Sequence, residues 1–200
     1  MNGLLPPKAY AAQRAQHRAR MMAHRRARTL GLRPHTVLQF EDRHTVRYQI
    51  QEMLRAEGIE DADGIREQIE TYAPLLPDGG NWKATLMLQV PEAGLRRTLL
   101  QRLPRMAHHV YVEVEGHAPV YALANEDLPA HDHRPSSVHF LRFELPAAAR
   151  HAVAQGRAVS IGCAHPEYTV TARVPSGLQQ RLSEDFSSSS RASEPAAHRP

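Results

Sequence analysis

The sequence predicts an α+β fold, a mixed or mainly antiparallel sheet covered by helices. Three observations lead there. Residues 82–90 and 138–145 are runs of strand length rich in apolar and aromatic residues. Residues 43–57, bounded by acids and Gly58, carry apolar residues at helical spacing. Glu115-Gly116-His117 is a tight turn between two alternating runs, the usual link between antiparallel neighbours.

Each element follows in order. Pro6-Pro7 holds extended backbone and can open a helix. Residues 8–30 contain no Gly or Pro and are rich in Ala, Arg, Gln and Met, so a long helix is expected until Gly31 and Pro34. Its apolar content is thin, which places it on the surface or against a second subunit. A short strand covers 36–40. Glu41-Asp42 opens the next helix, 43–57, because acids favour the positive end of a helix dipole. Val46, Ile50, Met53 and Leu54 form its apolar stripe; Arg43, Arg47, Gln51 and Arg55 form another face.

A further helix is expected over 61–72 and ends at Pro74. The turn-rich stretch 76–81 feeds the strand at 82–90, and a helix runs from Pro91 to about Leu103. Strands are expected at 110–114 and 120–123, then a polar loop at 125–136. After the strand at 138–145, a helix opens at Pro146 and closes at Gly156. Strands at 158–163 and 168–174 complete the core. From Pro175 onward the chain is rich in Ser, Pro and Ala, and is expected to be disordered. The expected organisation is therefore a basic helical arm (1–34), one α+β domain (35–174) and a tail (175–200).

Charge is distributed unevenly. The first forty residues hold no Asp or Glu, but include Lys8 and seven arginines, Arg33 among them. The segment carries +8 while the whole chain is +4, so the remainder sums to −4. A cationic arm beside a mildly acidic body suits an acidic partner surface, with Arg14, Arg18, Arg25 and Arg28 as contacts at helical spacing. The same arginines could neutralise phosphates, but the segment has only Tyr10 for stacking, and nucleic acid is the weaker expectation. A homodimer through this helix is a further expectation.

Other chemistry is bounded by what the chain contains. One cysteine, Cys163, excludes an internal disulfide and a CxxC-type zinc site, and fits a reducing cytoplasm. No run reaches the ~20 apolar residues of a membrane span. Neither GxSxG, GxGxxG nor a Walker-type run is present, so a non-catalytic role is favoured over an enzyme. Thirteen histidines with nearby carboxylates raise a rival, a Glu/His site for iron, manganese or zinc in an enzyme or sensor. The face Arg43, Arg47, Gln51, Arg55 could grip a carboxylate or phosphate.

Three blocks carry a family resemblance. They are 40–55 (Phe40-Glu41-Asp42-Arg43 through Arg55), Leu76-Pro77-Asp78-Gly79 with 83–87, and 138–145. Together they resemble a bacterial family known as domain of unknown function 3501. The resemblance implies an accessory cytoplasmic protein whose relatives are encoded beside rubrerythrin and an iron–sulfur oxidoreductase. Peroxide defence or electron transfer with such redox partners would be its setting. His44 stands where relatives are expected to carry an acid, which leaves Glu41, Glu52, His139 and His165 as the metal candidates.

Overall fold

The structure, a computed structural model, describes residues 3–32, 35–124 and 136–186. It contains six α-helices and two antiparallel sheets. The first sheet has the order β1 (Thr29–Leu32), β2 (Thr36–Phe40), β3 (Asn81–Leu88), β7 (Val138–Glu144) and β6 (Leu123–Ala124). The second has β5 (Val120–Tyr121), β4 (Val110–Val114), β8 (Val159–His165) and β9 (Tyr168–Arg173). Between and around them lie α1 (Pro7–Ala27), α2 (Arg43–Glu57), α3 (Ala62–Tyr72), α4 (Ala93–Arg102), α5 (Ala147–Ala154) and α6 (Ser176–Asp185). The α+β expectation holds, with every strand pairing antiparallel.

Strand alternation explains the layering. In the first sheet, Leu38 pairs with Leu86, Ala84 with Leu141 and Trp82 with Phe143. Side chains at paired positions share a face. That face meets Val110, Val112, Val114, Val159 and Ile161 of the second sheet in one apolar core. The opposite face of the first sheet presents Phe140 to a smaller cluster of Val46, Ile50, Leu54 and Leu75. Thus α2 and α3 lie on one side of the first sheet and the second sheet lies on the other.

Trp82 anchors the centre. It is fully buried, its indole N–H donates to the Leu182 carbonyl at 2.9 Å, and its ring stacks on Phe186 at 5.1 Å. Burying a side chain of this size is worth about 2–3 kcal/mol from area alone. Gly162 on β8 is required by close approach: a Cβ there would lie 2.5 Å from both the Tyr111 hydroxyl and the Val170 carbonyl.

Two expectations need correction. The segment read as an arm is not helical to its end: α1 stops at Ala27, and Thr29–Leu32 is the edge strand β1. Leu30 and Leu32 alternate into the core, and that burial outweighs continued helix propensity. The segment read as a disordered tail begins with a helix, α6, whose Leu178 and Leu182 are buried one turn apart. Residues 187–200 and most of the polar loop at 125–136 lie outside the described residues.

Candidate functional site

The site is built by α1 and α2. Tyr10 and Arg14, near the start of α1, meet Glu52 near the end of α2; His24, near the end of α1, meets Asp42 at the start of α2. The two helices therefore run antiparallel. Between them is a cleft of about 350 Å³. Residues 17, 20, 21 and 24 on α1 face residues 44, 47, 48 and 51 on α2, each set at helical spacing.

The cleft's far end is held by polar clasps. The Gln51 carboxamide accepts from the Leu5 backbone N–H at 2.7 Å and donates to the Leu5 carbonyl at 2.8 Å. Arg14 makes a two-pronged contact with Glu52, with Nε and Nη2 at 2.9 and 2.7 Å. The Tyr10 hydroxyl also donates to Glu52, at 2.5 Å. Hydrogen bonding from Arg14 outweighs desolvation and, with Tyr10, lowers the Glu52 carboxyl to about 2. Burial, followed by the Glu52 contact, pushes the Tyr10 phenol upward.

The near end holds a three-residue cluster. Asp42 is the N-cap of α2. One carboxylate oxygen, Oδ1, accepts from the His44 and Thr45 backbone N–H groups at 2.9 Å, and Thr45 Oγ1 accepts from the Asp42 N–H. This capping box fixes the carboxylate. Its second oxygen, Oδ2, lies 2.6 Å from His24 Nε2, 3.9 Å from His44 Nδ1 and 3.5 Å from Arg28 Nε. Ligand atoms of His24, Asp42 and His44 all lie within 4.8 Å of one another. Burial opposes ionisation of Asp42, but the Thr45 amide, Arg28 and His24 outweigh it and hold the carboxyl below its ordinary range.

Behind Asp42 stands Arg28, 3% exposed. Its Nη2 pairs with Asp185 of α6 at 2.5 Å, and it also donates to the Phe40 and Glu41 carbonyls. Here burial outweighs Arg28, and the Asp185 carboxyl is raised to about 6. A chain of contacts thus runs from α6 through Arg28 and Asp42 to His24.

The sequence-predicted residues fall in different places. Glu41 is buried under α2, where its Oε1 accepts from Thr85 Oγ1 at 2.6 Å. Glu52 is engaged with Arg14 and Tyr10. His139 lies on β7 opposite Leu86, and burial pushes its imidazole pKa down. His165 is at the end of β8, edge-on to His109 at 5.1 Å. These four are not brought together; among the described residues the one group of three metal-competent side chains is His24, Asp42 and His44. Of the expected partner contacts, Arg14 and Arg28 are matched by Glu52 and by Asp42 with Asp185, Arg25 is partly buried, and Arg18 is exposed. The helix packs on its own chain rather than projecting from it. Of the expected gripping face, Arg47 and Gln51 line the cleft; Arg55 lies 3.7 Å from Glu52, and Arg43 is exposed.

Sequence reading did not single out His24 and Asp42 as members of this cluster. A signal was present: Tyr10, His17 and His24 recur every seven residues along one face of α1. Another groove, about 610 Å³ beside α5 and α6, has Arg173 as its one charged lining residue among those described. It offers little chemistry.

Comparisons with known proteins agree with this architecture. The crystal structure of a protein of unknown function from Burkholderia pseudomallei K96243 is 42% identical, with a TM-score of 0.86 over 92% of this chain and 96% of that one. No curated protein matches. No helix among the described residues is long and apolar enough to cross a membrane. The family profile described as protein of unknown function, DUF3501, matches residues 1–186, and the chain belongs to that family.

Proposed function

We propose that the protein binds a divalent transition metal through His24, Asp42 and His44, at the mouth of the cleft between α1 and α2. One observation carries the reading: two imidazoles and a carboxylate gather their ligand atoms within 4.8 Å. Two histidines and one carboxylate form a donor set suited to iron, manganese or zinc, and leave coordination positions open. Ligand atoms ~2 Å from one ion sit closer together than this, so the set must contract. His44, with 64% of its side chain exposed and its ring 5.3 Å from that of His24, has room to move inward. The cap on α2 and the Arg28 contact hold Asp42, as ligating carboxylates are commonly held by outer partners.

Isothermal titration of the protein with Mn²⁺ and Zn²⁺ tests this, with elemental analysis of the purified chain. We expect one site per chain. His24→Ala and His44→Ala should each weaken it at least ~tenfold, in line with loss of a ligand. Retention of affinity by both variants would refute the site. The redox-accessory role near rubrerythrin, implied by the family resemblance, is the setting we propose for such a centre.

A second reading is docking to an acidic protein surface. It is supported by Arg18 and Arg26, which are exposed on α1 and make no ion pair among the described residues. Purified rubrerythrin should then bind in low salt and dissociate as ionic strength rises, and Arg18→Glu with Arg26→Glu should abolish the association.

A further inference from the structure

We infer that the cleft takes a small dianion, such as a short dicarboxylate or an inorganic oxyanion, held between Arg20, Arg47 and the open positions of the metal. The inference rests on the metal reading above and names the second ligand of that site.

The wall of the cleft carries the argument. Among the described residues it includes two guanidiniums, Arg20 and Arg47, and three imidazoles, His17, His24 and His44, and no carboxylate. The nearest acids are already matched: Glu52 by Arg14, and Asp42 by Arg28. Arg20 and Arg47, by contrast, make no ion pair or hydrogen bond among the described residues. Guanidinium is the side chain best shaped for two-pronged contact with a carboxylate or phosphate.

Position adds to charge. Arg20 lies one turn before His24 on α1, and Arg47 lies three residues after His44 on α2. The two cations thus lie on opposite walls, each one turn along the cleft from a metal ligand. A dianion between them could present one end to the guanidiniums and the other to the ion. Tyr48, from α2, lines the same stretch. Met21 and Leu5 supply an apolar lining beside it. At about 350 Å³ the cleft is at the small end of the ligand-site range, which favours a compact anion over a nucleotide.

The test is a two-stage titration of the full chain. Mn²⁺ is added first, then malonate or inorganic phosphate, each followed by calorimetry and by the Mn²⁺ paramagnetic resonance spectrum. The expected result is anion binding to the Mn²⁺-loaded protein, a changed spectrum, and at least ~tenfold weaker anion affinity in Arg20→Ala and in Arg47→Ala, as loss of one charge-assisted contact predicts. Mn²⁺ affinity should not fall in either variant, because neither arginine is a metal ligand and each is a like charge beside the ion. The malonate and phosphate arms separate a dicarboxylate from an oxyanion.

Failure of Mn²⁺ to bind overturns the metal reading at the first stage, before any anion is present. Mn²⁺ binding followed by no anion binding overturns this inference alone. So does anion binding that both arginine variants retain, or that leaves the Mn²⁺ spectrum unaltered.

Discussion

The two-sheet core and the α1–α2 pair solve burial in opposite ways. Around Trp82, Phe40, Phe143 and Ile161 the interior is apolar, and ladder hydrogen bonds satisfy the backbone. At the α1–α2 pair, several charged and polar groups are drawn inward and held by partners: Arg14 by Glu52, Arg28 by Asp42 and Asp185, Gln51 by Leu5. The first arrangement supplies stability and presents little chemistry. The second holds ionisable groups in fixed positions at an accessible cleft, as binding requires.

The largest expected effect strikes the apolar side. Trp82→Ala removes a filled core position, the contact to Leu182 and the Phe186 stack, and should cost about 3–5 kcal/mol in denaturant unfolding. A cost below about 1 kcal/mol would contradict the central role given to Trp82.

Arg28→Ala tests the polar side and should cost about 3 kcal/mol or more, because Asp42 and Asp185 lose a shared buried cation. Adding Asp185→Asn to that variant should restore part of the loss. Additive costs would mean that Arg28 and Asp185 do not act as a pair.

Acid titration sharpens the contrast next. A carboxyl raised to about 6 holds its proton in the folded state where the unfolded chain has released it. Stability due to Asp185 therefore falls as pH rises from about 4 to about 6. Between those values the wild type should lose on the order of 1–3 kcal/mol relative to Asp185→Asn. Glu52 behaves in the reverse sense. Lowered to about 2, it contributes stability that is present above its ordinary value and is lost as pH falls towards 2. Arg14→Ala should lower stability near neutrality and flatten that acid limb. An unchanged limb would show that Arg14 does not set the Glu52 titration.

The smallest effect belongs to His44. Its side chain is mostly exposed, so His44→Ala should change stability by no more than about 0.5 kcal/mol. A larger loss in the metal-free protein would mean that His44 has a structural role.

Much of this fold was legible from local pattern. The helix at 43–57 and the strands at 82–90 and 138–145 had strong periodicity and clear stops, and the structure places elements there within two residues. Two terminal pieces were not. Leu30 looked like the end of a helix and Leu32 like the connection after it, because the value of an edge strand depends on β2, not on neighbours in sequence. In α6, the four-residue spacing of Leu178, Leu182 and Phe186 was masked by surrounding serines and by a composition suited to disorder. The cleft was partly legible. Arg47 and Gln51 were singled out as one face, but His24 was not, since a helix poor in apolar residues was assigned to the surface or to a second subunit. Only the antiparallel pairing of α1 with α2 places residue 24 beside residue 42.

Arg28 has a consequence for how this chain can diverge. A single guanidinium serves a carboxylate in contact with His24 and another on the last described helix. Substitution at 28, 42 or 185 is therefore constrained by the other two positions, and the three should drift as a set across relatives. The two ends of the chain, more than 150 residues apart in sequence, share one evolutionary constraint at this joint.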